Sequence, residues 1–368
     1  MKLFGWKARE ESRPALSRGG SVAAYGDWPQ SYEAQVREAY LGNAVAQRAV
    51  KLVMETIGGA PLLASDPRLI ALATMRSGGQ TLVETVAAQL LLHGNAYVQV
   101  LRDAEGGAAE LYALRPERVS VEADSGGWPV AYRYKVGERV TRLLADAVRP
   151  EVIHLKRFHP VDDHYGLGCL GAAAGAVAIH NAAARWNKAL LDNAARPSGA
   201  LVYDAGDGST LSADQFARLK GELEASFAGS GNAGRPMLLE GGLTWQALSL
   251  SPAEMDFAGT KAAAAREIAL AFGVPPMLLG LPGDATYANY REANRALWRL
   301  SVLPLAHAVL DGIAEGLRGW FEGAALSVDL DRVPALVEDR SKLWAMVSGA
   351  DFLSADEKRA MLDIGETA

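Results

Sequence analysis

The sequence predicts an α+β chain in which a small mixed unit is carried between long helices. Three observations carry that prediction. Residues 95–158 alternate apolar and polar positions in short runs separated by Gly-rich turns, the period of strands with one buried face. Residues 170–195 and 252–272 are long Ala-rich stretches, ~39 Å and ~32 Å as helices at 1.5 Å per residue. Between them a strand, a helix and two more strands are packed into residues 196–251. That order is the layout of a module on a helical stalk.

Composition narrows the class. The chain has 368 residues, room for two or three domains. Hydrophobic residues make up 49% and charged residues 22%, a globular balance. The net charge of −6 excludes a protein that grips nucleic acid along its whole surface. The one cysteine, Cys169, excludes an intrachain disulfide framework and a multi-cysteine zinc site. The first twenty residues, "MKLFGWKAREESRPALSRGG", lack the apolar centre of a signal peptide. Apolar runs such as 170–179 are short and mostly Ala and Gly, so the expectation is a soluble chain without a membrane partner.

Each element has its own local signal. Residues 1–30 mix Arg, Glu, Gly and Ser without periodicity and are expected to form a flexible arm. Residues 32–57 predict a helix ended by Gly58-Gly59. "TLVETVAAQLLLH" predicts another, with Thr81 and Glu84 forming a capping box. Strands are expected in "AYVQVLRD", in "LYALRPERVSVEAD" with an interruption at Pro116, and in "VAYRYKVG" and "EVIHLKRF". In the small unit, "GALVYD", "RPMLLEG" and "LTWQALSL" predict strands, and Ser212 caps the helix "SADQFARLKGELEASFAG". The second long helix breaks at Gly273-Val274-Pro275-Pro276. A new helix is expected to restart near Asn289 or Tyr290, to be buried nearly all round, and to be kinked by Pro304. Residues 329–368 are acidic and helical.

Few residues suggest chemistry. "GLGCLG" at 166–171 matches the dinucleotide pattern, but "HPVDDHY" separates it from the preceding strand. The acid expected ~20 residues on, at a strand end, is missing. The bland alternative is a helix entry with small residues for close packing. "HLKRFHPVDDHYG" gathers His154, His159, Asp162, Asp163 and His164, without a metal-ligand spacing. No P-loop, no G-x-S-x-G and no nucleophile–base pair occurs. No catalytic residue, metal or cofactor is expected. Arg291, Arg295 and Arg299 repeat every fourth residue and share one helix face. They suit ion pairing with a neighbouring segment or subunit, or a DNA contact.

Taken in order, "AARPSGAL", "GSGNAGRPMLLEGGLTWQAL", "AREIALAFGVPPMLLG" and "ATYANYREANRALWRLSVLPL" resemble the HK97-type tailed-phage portal proteins, those of gene transfer agents included. The resemblance runs from about residue 32 to the end and is strongest over 168–317. It implies a virion protein, assembled in the host cytoplasm. Its ring, usually of twelve copies, sits at one capsid vertex for DNA packaging, head–tail connection and ejection. The implied parts are a wing at 31–167, stem helices at 168–195 and 252–273, and a clip at 196–251. A tunnel loop at 274–290, a long wing helix and return at 291–328 and a crown at 329–368 complete the subunit. The channel lining would be Pro282, Gly283, Asp284, Ala285, Thr286, Tyr287, Ala288 and Asn289. The implied partners are double-stranded DNA, a terminase, a head–tail adaptor and the major capsid protein. The clip counts six acids against four bases, Arg196, Arg218, Lys220 and Arg235. Its acidic helix with Glu222 and Glu224, and its turn with Asn232 and Arg235, is therefore expected to bind protein rather than DNA. A dinucleotide-dependent oxidoreductase and a generic oligomeric scaffold remain the alternatives.

Overall fold

A computed structural model of the chain describes residues 15–17, 31–192, 199–204, 210–227, 243–247, 256–281 and 286–362. It divides into two compact units, 1–174 with 269–368, and 175–268.

The first unit opens with α1 (Tyr32–Val36), a π-helical turn (Arg37–Leu41) and α2 (Ala44–Gly58). One unbroken helix was expected over 32–57. Asn43 divides it, because its Oδ1 accepts the N–H groups of Val45 and Ala46, both at 3.0 Å, and so starts a new helix. Next come β1 (Leu62–Ala64) and α3 (Pro67–Ala73), neither anticipated from the sequence. The short hairpin β2 (Arg76–Ser77) and β3 (Gln80–Thr81) follows, turning through two glycines with positive φ. Helix α4 (Leu82–Leu92) has the expected capping box between Thr81 and Glu84.

The strands of residues 95–156 form two antiparallel sheets. One orders β5 (Ala108–Leu114), β4 (Asn95–Arg102) and β9 (Val152–Lys156). The other orders β6 (Val119–Ala123), β7 (Pro129–Val136) and β8 (Arg139–Leu144). A 3-10 turn at Pro116 separates β5 from β6, where the interruption was expected; β8 was not foreseen. Tyr97, Leu114, Val119, Tyr132, Leu143 and Val152 make one core between the sheets.

Helix α5 (Leu170–Asp192) is the first of the long helices. In the second unit β10 (Gly199–Tyr203) pairs antiparallel with β11 (Leu243–Ala247), and α6 (Ala213–Phe227) lies between them in sequence. Ser212 caps α6: its Oγ accepts Gln215 N–H at 3.3 Å, and Gln215 Oε1 accepts Ser212 N–H at 2.9 Å. The expected strand "RPMLLEG" lies outside the described residues. Helix α7 (Phe257–Ala271) joins α5 through stacked rings of Trp186 and Phe257, 4.1 Å between centroids.

The chain then runs through α8 (Tyr287–Leu297), a π-helical turn (Trp298–Val302) and α9 (Leu303–Leu317). Pro304 has no N–H to give the helix ladder, and the break it demands takes the form of this widened turn. Tyr287–Leu317 is long and apolar enough by length to cross a membrane, with a window of mean hydropathy 1.3. This corrects the expectation that the apolar runs fall short. Its α9 part supplies core: Leu305, Val309, Leu310, Ile313 and Leu317 are buried. Gly312 and Gly316 let α9 lie close on β9, since an added Cβ would meet Leu155 at 2.6 Å and Ile153 at 2.5 Å. Uniform burial was expected along this helix. Instead α8 is largely exposed and Leu300 is 77% accessible. β12 (Leu326–Val328) pairs antiparallel with β1. Helices α10 (Val337–Ser348) and α11 (Ala355–Met361) end the described chain, with a capping box at Ser354 and Glu357.

Candidate functional site: the loop before α8 and its supports

The loop between α7 and α8 is shaped by two glycines. At the end of α7, Gly273 N–H bonds Leu270 O at 3.0 Å and Val274 N–H bonds Ala269 O at 2.9 Å. With Gly273 at φ +65° this is a Schellman closure. Pro275 and Pro276 follow and turn the chain into a 3-10 segment (Pro276–Leu279). Gly280, at φ +71°, repeats the closure: its N–H bonds Met277 O, and Leu281 N–H bonds Pro276 O. Ser301 Oγ donates to Gly273 O, pinning the first closure to the π-helical turn.

Of the expected lining residues, Pro282, Gly283, Asp284 and Ala285 lie outside the described residues. The rest are placed by a helix start. Thr286 Oγ1 accepts Asn289 N–H at 3.2 Å, so α8 begins at Tyr287. This corrects the expected restart at Asn289 or Tyr290. The sequence carries the matching N-cap signal, a Thr three residues before Asn289. Tyr287, Ala288 and Asn289 are therefore first-turn helical residues, and all three are exposed.

The arginine face of α8 has its partners within the chain. Arg291 Nη1 donates to Glu338 Oε1 at 2.7 Å, and Arg295 Nη2 to Glu338 Oε2 at 2.9 Å. Arg299 Nη2 donates to Asp339 Oδ2 at 2.7 Å, and Arg295 Nη1 to Glu292 Oε1 at 2.9 Å. Arg295 Nε lies 3.2 Å from Asp339 Oδ2, an ion-pair contact without hydrogen-bond alignment. Glu338 and Asp339 occupy the first turn of α10, where the helix dipole favours negative charge. Three cations thus face three anions. No motif in residues 329–368 marked these acids as partners of α8. Arg340, one position on, holds Asp331 at 2.6 Å and keeps that carboxyl below the ordinary range.

The glycine-rich pattern has a packing role. A Cβ on Gly166 would fall 2.1 Å from Gly94 O, and one on Gly168 would fall 2.4 Å from Leu92 O. Asn95, 1% exposed, accepts Gly166 N–H at 2.7 Å and donates to Gly166 O at 3.1 Å. These glycines let the 166–168 segment lie against the α4–β4 turn. The arrangement leaves the dinucleotide alternative unsupported.

The histidine-rich segment divides likewise. His154 stacks on Tyr97, 4.3 Å between centroids, and its Nε2 donates to Asn95 Oδ1 at 3.1 Å. Burial, with Lys156 nearby, pushes it down to about 3. Asp162 Oδ1 accepts the N–H groups of His164 and Tyr165, and His159 Nδ1 accepts that of Val161. Among the described residues no three His, Cys, Asp or Glu side chains converge on a metal position.

In the second unit, α6 presents Asp214, Arg218 and Lys220 on an exposed surface. Glu222 and Glu224 lie on its backbone path, while Asn232 and Arg235 lie outside the described residues.

Comparison with known proteins places the chain. The family profile described as phage portal protein matches residues 44–363. A Rickettsia felis protein is 40% identical over 349 residues, 89% of this chain and 88% of that one. The probable portal protein of Streptomyces phage phiC31 is 26% identical, over 98% of this chain and 82% of its own. A solved chain from the neck of a native GTA particle with C12 symmetry is 47% identical. It covers 94% of this chain and 97% of its own, with a TM-score of 0.70.

Proposed function

This chain belongs to the phage portal protein family, and from that membership we propose that it assembles as a ring of twelve copies around a DNA channel at one vertex of a virion. The observation that carries the reading is its likeness, nearly end to end, to a chain from a particle neck with C12 symmetry. The family is structural, and we assign this chain no enzymatic activity.

Within the ring, residues 31–167 and 291–328 form the wing, 168–195 and 252–273 the stem, 196–251 the clip and 329–368 the crown. Residues 282–289 line the channel. Duplex DNA carries one charge per ~1.7 Å of axis, so a lining it slides through must not clamp phosphates. Residues 282–289 hold no Lys or Arg. The nearest cations in sequence, Arg291, Arg295 and Arg299, are matched by Glu292, Glu338 and Asp339. Both features support a low-friction lining. The acidic clip takes the terminase during filling and a head–tail adaptor afterwards, and the outer wing meets the major capsid protein. The ring forms in the host cytoplasm before it joins the particle.

Imaging of particle-derived protein along its symmetry axis tests the proposal. The expected image is a closed ring with a central channel, present once per particle. Copies at every vertex would favour the generic scaffold. Monomers at all salt and protein concentrations would overturn the ring.

A further inference from the structure

We propose that residues 15–17 are a linear docking motif, and that the wing carries its receptor groove, filled in the assembled ring by the arm of an adjacent copy. The exchange between copies rests on the ring proposed above; the groove does not.

The groove has two walls far apart in sequence. One is the β6–β7 turn, where Gly126 O accepts Leu16 N–H at 2.9 Å. The other is Asp163. Its N–H donates to Ser17 O at 3.1 Å, and its Oδ2 accepts Ser17 N–H at 2.8 Å and Ser17 Oγ at 3.3 Å. Two consecutive residues thus have both backbone N–H groups and one carbonyl met by receptor groups. That is how an extended peptide is held by backbone pairing.

The walls are braced without help from the arm. Asp124 Oδ1 accepts the N–H groups of Gly126 and Trp128 and fixes the turn. His164 Nε2 donates to Gly127 O at 2.6 Å, tying the turn to the opposite wall. Lys156 Nζ donates to Asp163 O. Gly127, at φ +83°, makes the room: a Cβ there would fall 2.3 Å from Leu16 O.

Among the described residues, these hydrogen bonds and close approaches to residues 16 and 17 come from 126–127 and 163, so the groove does not distinguish its own arm from a second copy's. The fourteen residue steps from Ser17 to Ser31 can span at most about 46–50 Å extended, which bounds the distance to a neighbouring groove. Exchange of an identical segment costs little, because the neighbour's arm makes the same hydrogen bonds as the chain's own. Repeated around a ring, such solvent-exposed pairings reinforce one another through effective concentration.

The test uses full-length chain throughout. Leu16→Pro removes the N–H that meets Gly126 O and so vacates the groove. A fluorescent peptide of residues 11–20 should then bind this variant with a micromolar Kd. Adding Asp163→Asn or Gly127→Ala should weaken binding at least tenfold, with circular dichroism unchanged in at least one of them. No binding, or equal binding by the folded groove variants, overturns the groove. In assembled protein, benzoylphenylalanine at Ala15 should photo-cross-link into a product of dimer mass. Cross-links of monomer mass alone overturn the exchange and leave the groove standing.

Discussion

Arg295 on α8 and Glu338 on α10 lie 2.9 Å apart across 43 residues of sequence, at the centre of a charge network between the two helices. Arg295 is the most enclosed of the three arginines, with 16% of its side chain accessible, and touches all three acids. Arg295→Ala should therefore cost more than Arg291→Ala, about 1–3 kcal/mol against below ~1 kcal/mol. Thermal melts should show this order, and the Arg291 effect should shrink in 1 M salt, where the Debye length is ~3 Å. Equal effects of both substitutions would refute the ranking.

Gly273→Ala should destabilise the closure of α7. The residue sits at φ +65°, and its Cβ would fall 2.6 Å from Ser301 Oγ. The left-handed conformation alone costs roughly 1–2 kcal/mol in a residue with a Cβ. Ser301→Ala in the same chain should recover part of the loss by removing the crowded hydroxyl. A double-mutant cycle on urea midpoints measures the coupling; strictly additive effects would show that the contact is not felt.

Acid should weaken the first compact unit through its histidines. Burial pushes His154 down to about 3 and His93 down to about 4. In the unfolded chain each takes up a proton near pH ~6.5. The unfolded state thus binds more protons below that pH, so this stability is whole above ~6.5 and falls as the pH drops toward 4. Urea midpoints should fall between pH 7 and pH 5. His154→Phe, which keeps a ring beside Tyr97, should start lower but fall less. Parallel drops in the two chains would exclude His154 as a source.

A cationic belt should impede DNA. Asp284→Lys with Ala288→Lys replaces one negative charge per copy by two positive ones. Packaging should slow or stall, and the defect should ease as salt rises. Normal filling by rings whose added lysines are shown to face the channel would refute the low-friction lining.

Charge reversal on α6 probes the proposed clip contact. Glu222→Lys with Glu224→Lys should leave ring formation intact and reduce terminase-dependent filling or tail joining, scored by particle counts. Full particles with tails would remove these residues from the contact.

Local signals in the sequence determined several of the elements. The Thr81–Glu84 capping box, the Ser212 cap, the interruption at Pro116 and the break at Gly273 all act within four or five residues. Their free energies depend little on the rest of the chain. Alternation over 95–158 likewise marked strands, and the ordered motifs carried the family likeness. Tertiary structure decided what those elements meet. Nothing near Arg295 in sequence names Glu338 as its partner, and nothing in "GLGCLG" says that its first two glycines lie against Gly94 and Leu92 rather than a phosphate. Asn43 divided a helix whose apolar periodicity ran straight through it, because a side-chain cap competes with the helical ladder residue by residue. Apolar periodicity shows which faces seek burial, but the burial of α9 and the exposure of α8 follow from which surfaces are near enough to cover them. That is a matter of long-range packing, which no local pattern encodes.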